Sequence, residues 1–296
     1  MNIVVFGGAG LLGRAIAQTL HEAGHSVTTA GRSGCDVAID FRYDTTPEAF
    51  ADLLRGTHIV VNAVGLLTER GDNRFEAVHV QAPTALFAAC AKARVARIVH
   101  ISALGVGGGI PGAYVASKRA AERALQAGPV DYAIVRPSLL VDAASPSIRL
   151  LKRLARLPVI ALPGLLHPGA VRLAPICVQD VAQVVGRLCM HPKALRRVVE
   201  LAGPQTLSYR ALLAGFRQAA GKGPALWLPV PWWLLHAGAW LAAQLPQNVF
   251  SRDTVRMLQA QSTPQPNAAQ AWLGRLPNSA VALEKIEHVA IKNIAA

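Results

Sequence analysis

The first half of the chain alternates short apolar runs with stretches of helical spacing. Residues 3–6, 26–30, 37–39, 59–64, 97–102 and 132–135 are rich in Val, Ile and Ala and are bounded by turn-forming or polar residues, which predicts strands. Between them, residues 12–23, 47–54, 78–93 and 113–127 carry apolar side chains at intervals of three and four, which predicts helices. Strand and helix in regular alternation imply an α/β fold built on a parallel sheet. Right-handed crossovers then make it doubly wound, with ligands at the carboxyl ends of the strands.

After Arg136-Pro137 this rhythm breaks. Prolines accumulate at 146, 158, 163, 168 and 175, where the chain is expected to leave for a second lobe. Cys177-Val178-Gln179-Asp180-Val181-Ala182 opens a helix expected to return to the sheet, and residues 198–201 offer one more strand. From Ser208 onward the pattern reads as helices with little strand. The expected division is a main domain, 1–137 rejoined by 175–203, and a smaller, mostly helical substrate or partner lobe, 138–174 and 204–296. No internal repeat is evident.

The turn after the first run is Gly7-Gly8-Ala9-Gly10-Leu11-Leu12-Gly13, followed by Arg14 on the first predicted helix. A helix N-terminus behind a strand and a glycine turn presents unpaired N–H groups and partial positive charge, a ready site for a pyrophosphate. Glycines at 7, 10 and 13 permit the tight turn, the close backbone approach and the helix–strand packing that a dinucleotide needs. The fold is therefore expected to be a Rossmann-like sheet that binds a nicotinamide dinucleotide. Strand two ends Gly31-Arg32-Ser33, with an arginine where NAD-binding chains usually carry a carboxylate for the ribose 2′-hydroxyl. A guanidinium pairs with a 2′-phosphate, so Arg32, with Arg14 as a second candidate, favours NADP over NAD. Arg32 as a plain surface side chain is the competing reading.

Tyr114-Val115-Ala116-Ser117-Lys118 sets a phenol and an ammonium four residues apart on one helix face. The ammonium is expected to lower the tyrosine's pKa, so that Tyr114 exchanges a proton with a carbonyl or alcohol oxygen. Hydride transfer to or from a nicotinamide would complete an oxidation or reduction. Ser102, at the end of strand five, is the candidate to polarise the same oxygen; satisfying a strand-end carbonyl is its alternative role. Only the short, glycine-rich loop around Gly105-Val106-Gly107-Gly108-Gly109 lies between Ser102 and Tyr114, and it is expected to be flexible.

The Gly-x-x-Gly-x-x-Gly spacing and the later Tyr-x-x-x-Lys resemble the extended and atypical short-chain dehydrogenase/reductases. Ile101-Ser102-Ala103-Leu104-Gly105, Arg136-Pro137-Ser138, Leu162-Pro163-Gly164 and Pro175-Ile176-Cys177-Val178-Gln179-Asp180 are similar to the branch that holds the NAD(P)-binding accessory subunit of respiratory complex I and free-standing bacterial relatives. The likeness is good to about residue 200 and lapses beyond about 260. It implies that Asp40 meets the adenine amino group and Phe41 flanks the ring, although Asp40 is equally placed to cap the helix that opens at Pro47. It implies that Asn62-Ala63-Val64-Gly65 lies against the adenine and ribose, that Lys118 holds the nicotinamide ribose, and that Pro137 belongs with the cofactor contacts. The accessory subunits commonly lack the tyrosine that this chain has, which favours an enzyme. The alternatives are a non-catalytic NADP(H)-binding accessory or sensing protein and an NAD-dependent epimerase or dehydratase. Arg32 and the short loop after strand five argue against the last.

A net charge of +13 suits anionic partners. A phosphorylated cofactor or an acidic lipid surface fits; nucleic acid does not, since no zinc knuckle, helix-turn-helix or aromatic-basic motif is present. Cys35, Cys90, Cys177 and Cys189 form no C-x-x-C pair, and His79, His100, His167 and His236 lack metal-ligand spacing, so no metal site is expected. Gly-x-Ser-x-Gly and His-Glu-x-x-His are absent. The cysteines and the immediate first strand lead to an expected cytoplasmic location without a secretory signal, with peripheral membrane contact open.

Residues 223–251 contain no Asp, Glu, Lys or Arg yet include Trp227, Trp232, Trp233 and Trp240. Prolines at 224, 229, 231 and 246 leave 232–245 uninterrupted. A helix there is about 21 Å long, too short to span a bilayer. It is expected as core or as the wall of an apolar substrate pocket, with a membrane interface as the alternative. Residues 147–157 predict an amphipathic helix with Arg149, Lys152, Arg153 and Arg156 on one face, expected as a solvated surface, with contact to anionic lipid as the alternative.

Overall fold

The computed structural model describes residues 1–164, 171–242, 250–259 and 267–278. The chain runs β1 (Asn2–Phe6), α1 (Leu11–Glu22), β2 (Ser26–Gly31), β3 (Val37–Ala38), α2 (Glu48–Ala51) and β4 (Ile59–Asn62). Next come α3 (Ala82–Lys92), β5 (Arg97–Ile101), α4 (Ala113–Ala127) and β6 (Asp131–Pro137). The second half contributes β7 (Leu140–Val141), α5 (Pro146–Ala155), β8 (Val159–Pro163), β9 (Arg172–Leu173), β10 (Ile176–Cys177) and α6 (Val178–Cys189). It ends with β11 (Arg197–Leu201), β12 (Leu207–Ser208), α7 (Tyr209–Ala219), β13 (Leu226–Val230), α8 (Trp232–Ala242), α9 (Arg252–Gln259) and α10 (Ala269–Leu273).

Seven strands form one parallel sheet in the order β11-β6-β5-β4-β1-β2-β3. This is the Rossmann-like order, reversing direction between β1 and β4. Period-two alternation sends side chains to two cores. Ile3 and Val5 pack with Ile16, Leu20, Val181 and Leu188 on the α1/α6 face. Val4 and Phe6 pack with Val60, Leu86, Ile98 and Ile134 on the α3/α4 face. β11 joins beside β6 and α6 packs on α1, so the chain after Pro175 returns to the sheet.

Three local features differ from the sequence expectation. The helix expected over 78–93 is a π-turn, Glu76–Gln81, leading into α3. Pro83 explains it: a proline has no N–H for the carbonyl four residues back, and the chain absorbs that loss by widening the preceding turn. Residues 226–230, in a stretch expected as helices with little strand, form β13, which pairs in parallel with the equally unexpected β8 despite Pro229. A two-stranded sheet has only edges, where proline is tolerated. Finally, α8 is not core: Ala239 is its only buried residue among those described, and Trp233 is 70% exposed. The remainder of the expected helix, and His167, Pro168 and Pro246, lie outside the described residues. No described helix is long and apolar enough to cross a membrane.

Candidate functional site

Two groups of residues meet at the carboxyl ends of the central strands. The first is built from backbone. Gly7 follows β1 at φ +78°, a left-handed conformation that favours glycine. Its N–H donates to Ala30 O at 2.7 Å, and Gly10 N–H donates back to Gly7 O at 2.9 Å. Gly10 is the N-cap of α1, and no side chain caps that helix. A Cβ on Gly13 would stand 2.1 Å from Gly7 O, so α1 can approach the turn only with glycine there. Gly8 was missed by the triplet, yet a Cβ on it would meet Thr29 Cβ at 2.5 Å.

This turn forms one end of a cleft of about 300 Å³. Gly7, Ala9 and Gly10 line that end; Arg32, Ser33 and Cys35 line it beyond β2; Asp40, Phe41 and Arg42 line it beyond β3; and Ala63, Val64 and Gly65 close it beyond β4. Leu11, Leu12 and Gly13 stand behind the turn in the first turn of α1, with Leu12 and Gly13 buried. Arg14 is exposed, and its guanidinium donates to Ala9 O at 3.1 Å. Arg32 donates to Asn73 Oδ1 at 3.2 Å, a partner 41 residues away that the sequence did not suggest.

Asp40 is held by Arg42 in a two-pronged ion pair, 2.5 Å at the closest. The guanidinium holds its carboxyl below the usual carboxylate range. Its carboxylate lines the cleft already paired, and it does not cap the helix at Pro47. Phe41 lines the cleft and is otherwise buried in a triad with Phe6 and Phe50, centroids 5.7 and 5.8 Å away.

The second group is built from buried side chains. Asn62 ends β4 fully buried; its Oδ1 accepts from Val64 N–H at 3.1 Å and its Nδ2 has no partner among the described residues. Ser102 follows β5; its N–H donates to Val135 O at 2.7 Å and its buried Oγ is likewise unpartnered. Lys118 Nζ donates to Ile101 O at 3.2 Å and Val64 O at 3.5 Å. Burial lowers its pKa to about 8, against the pull of Glu122. Gly65 joins the two groups: it lines the cleft, and a Cβ there would stand 3.1 Å from Lys118 Nζ.

Tyr114 sits one helical turn before Lys118, packed edge-on against Phe75 and His79. Burial pushes its phenol up to about 12, the opposite of the expected lowering. The ammonium is committed to two carbonyls, and desolvation decides the outcome. Asn62, Tyr114, Ser102, Lys118 and Pro137 are not among the residues lining the cleft. The Pro137 carbonyl instead accepts from Leu104 N–H at 3.0 Å and shapes the loop after Ser102. That loop is anchored at Val106, which is fully buried and whose carbonyl accepts from Arg119 at 2.6 and 3.0 Å, while Gly107, Gly108 and Gly109 are exposed.

His79 is an unforeseen member. Its Nε2 accepts from Leu66 N–H at 2.8 Å, leaving Nδ1 to donate to Ser117 Oγ at 2.9 Å, which donates on to Tyr114 O. Burial lowers its pKa to about 2, so it stays neutral. His100, on β5, is buried with both ring nitrogens unpartnered among the described residues, and burial takes it to about 3. From α9, Asp253 Oδ2 accepts from Tyr114 N–H at 3.0 Å and caps α4 across 139 residues. No group of described His, Cys, Asp or Glu residues has metal-binding geometry.

A family described as NAD(P)H-binding matches residues 7–192. Ceramide reductase of Caulobacter vibrioides is 30% identical over 221 residues, 72% of this chain and 67% of that protein. The mitochondrial NADH dehydrogenase [ubiquinone] 1 alpha subcomplex subunit 9 of Arabidopsis thaliana is 25% identical over 227 residues, 70% of this chain and 55% of that protein. The chain thus spans little more than half the length of this second relative. Among solved structures, the NADPH-dependent quinone oxidoreductase QOR2 of Escherichia coli, complexed with NADPH, superposes with a TM-score of 0.75 at 16% identity over 98% of this chain and 99% of that one. A glycine cradle in the expected strand order, matched by a family that covers well over half the chain, makes this protein a member of the NAD(P)H-binding family with a Rossmann-like fold.

Proposed function

We propose that the chain is an NADPH-dependent oxidoreductase of the short-chain type, acting on a small or apolar carbonyl or quinone-like substrate. The residues present fit the dinucleotide: the Gly7–Gly13 contact leaves no room for a Cβ, and the cleft runs from that turn to Gly65 against Lys118. The observation that carries the reading is the pair of buried, unpartnered groups Asn62 Nδ2 and Ser102 Oγ at the ends of β4 and β5. Leaving such a group unsatisfied costs about 1–3 kcal/mol, and groups retained at that cost are expected to meet a ligand.

When bound, the reduced nicotinamide supplies a hydride to a carbonyl carbon. Arg32 in the cleft supports NADPH by offering its guanidinium to a 2′-phosphate. Ser102 Oγ donates to the carbonyl oxygen, and Tyr114 delivers the proton that turns the developing alkoxide into an alcohol, regaining it from water afterwards. A phenol near 12 is fully protonated at neutral pH and so starts as the acid that a reduction requires. The buried Lys118 would hold the nicotinamide ribose when the cofactor is bound. The four free cysteines support a reducing compartment, the cytoplasm in this reading.

The test is Tyr114→Phe in the full chain, with NADPH and a series of carbonyl and quinone compounds. Turnover is expected to fall by about 10²–10⁴ while NADPH affinity is kept. Unchanged turnover removes Tyr114 from the chemistry. One observation favours a second reading, a non-catalytic NADP(H)-binding accessory protein: Tyr114 is only 6% exposed and outside the cleft. NADPH-dependent thermal stabilisation with no turnover on any compound would select it.

A further inference from the structure

We propose that the second lobe docks on the surface of an anionic lipid bilayer through the outer face of β8 and β13 together with α8, without crossing it. Over residues 159–162 of β8 and 226–228 of β13 alternate side chains turn inward: Ile160 and Leu162 are buried, and Trp227 packs with the same core as α5 and α7, whereas Pro163 and Val230 at the strand ends are buried. The other positions of these stretches turn outward and are apolar. Val159 faces Leu226 across the pair and Ala161 faces Leu228, and all four are exposed. A solvated sheet face carries polar residues at these positions; this one carries none.

The chain leaves β13 at Val230 and enters α8 two residues later. Trp233 and Trp240 are 70% and 56% exposed, and Leu234 and Leu241 are exposed beside them. Such side chains are normally scattered singly over a surface; a run of them marks an interaction site. The sequence is free of Asp, Glu, Lys and Arg from 223 to 251. Tryptophan at the water boundary of an apolar element is the side chain that bilayer interfaces favour.

Charge selects lipid over a second protein. α5 belongs to the same lobe core, through Ile148 and Ala155, and runs directly into β8. Its outer side carries Arg149, Lys152, Arg153 and Arg156, and none of them takes part in an ion pair among the described residues. Arg156 is followed at once by the exposed Leu157 and, two residues on, by Val159. An uncharged apolar face joined through Leu157 and Pro158 to a helix of unpaired cations complements acyl chains below anionic headgroups. A second copy of this chain would bring the same cations against them.

The experiment is co-sedimentation of the full chain with vesicles of pure phosphatidylcholine or of phosphatidylcholine and phosphatidylglycerol in equal parts, with tryptophan emission followed in parallel. The protein is expected to sediment with the mixed vesicles, to shift its emission to the blue, and to release as salt rises to about 0.15 M. The double variant Trp233→Ser/Trp240→Ser and the triple variant Arg149→Gln/Arg153→Gln/Arg156→Gln are each expected to bind about tenfold more weakly or worse. Both should keep the wild-type melting temperature and NADPH affinity, which separates this result from failure of the nucleotide site. Wild-type protein left in the supernatant with mixed vesicles overturns the proposal, as does vesicle binding by folded variants at wild-type strength. A wild-type dimer that the tryptophan variant makes monomeric, with no vesicle binding, assigns the face to a second copy instead.

Discussion

The two halves of the candidate site are made of different material. The nucleotide half is backbone: positive φ at Gly7, a 2.1 Å clearance at Gly13, and a cleft open to solvent. The reactive half is buried side chains, and it holds all four unpartnered buried side-chain atoms among the described residues: Asn62 Nδ2, Ser102 Oγ and both nitrogens of His100. A site made by steric exclusion has one sequence solution, glycine. A site made by burying polar groups has many, and its chemistry is set by desolvation, as Tyr114 near 12 and Lys118 near 8 show. The first half recognises a shape; the second holds polar groups at a cost that a ligand can offset.

The sharpest way to break this division is Gly13→Ala. The added methyl must displace Gly7 O, which pushes α1 away from the turn. Dinucleotide binding should be lost, with a destabilisation of about 1–3 kcal/mol from overpacking. Titration with NADPH and chemical denaturation measure the two effects. Tyr114→Phe should do the reverse, leaving binding intact and removing turnover. Wild-type NADPH affinity in Gly13→Ala would mean that the turn is not the pyrophosphate seat.

A smaller effect probes the reactive half through pH. His79 and His100 are held neutral, at about 2 and 3, whereas in the unfolded chain they titrate near 6.5. As pH falls from about 6.5 towards 3, the unfolded chain therefore takes up protons that the folded chain refuses, and stability drops. The slope reaches about 1.4 kcal/mol per pH unit for each histidine. The His100 ring makes no hydrogen bond among the described residues, so His100→Phe loses none there. The variant should match the wild type at pH 7 and exceed it by roughly 2 kcal/mol at pH 5. Denaturation curves at the two pH values decide, and identical acid sensitivity in both proteins would show that His100 reaches water.

What the sequence disclosed follows the same line. β1, the glycine turn, α1 and the end of β2 were legible because each position has a local reason: β-branched residues for the strand, glycine for clearance, helical spacing for the amphipathic face. Gly8 escaped because its constraint comes from Thr29 on the neighbouring strand. His79 escaped because the π-turn that carries it is produced by Pro83, and a periodicity reading sees a continuous helix. β13 was illegible because Pro229 argues against a strand until β8 is known to lie beside it. The exposure of α8 was hidden by its own composition: a helix apolar on every side gives no polar face from which to orient it. Asp253 is 139 residues from the amide it caps, and no local signal marks it.

That cap gives the finest test of the comparison. Asp253 accepts from Tyr114 N–H at the start of α4 and is paired with Arg256 at 3.2 Å. A carboxylate at a helix N-terminus satisfies one free amide and meets the positive end of the helix dipole. Asp253→Ala should cost about 1 kcal/mol, the usual worth of a cap, and Asp253→Asn should recover most of it, because the amide oxygen accepts the same bond. Hydrogen exchange at the Tyr114 amide should quicken in the alanine variant, since its acceptor is gone. Among the described residues no hydrogen bond or ion pair joins Asp253 to the nucleotide half, so NADPH affinity should not move. If Asp253→Ala weakened NADPH as severely as Gly13→Ala, tightening at Tyr114 would be transmitted through Lys118 and Gly65 to the cleft, and the two halves would be one cooperative unit.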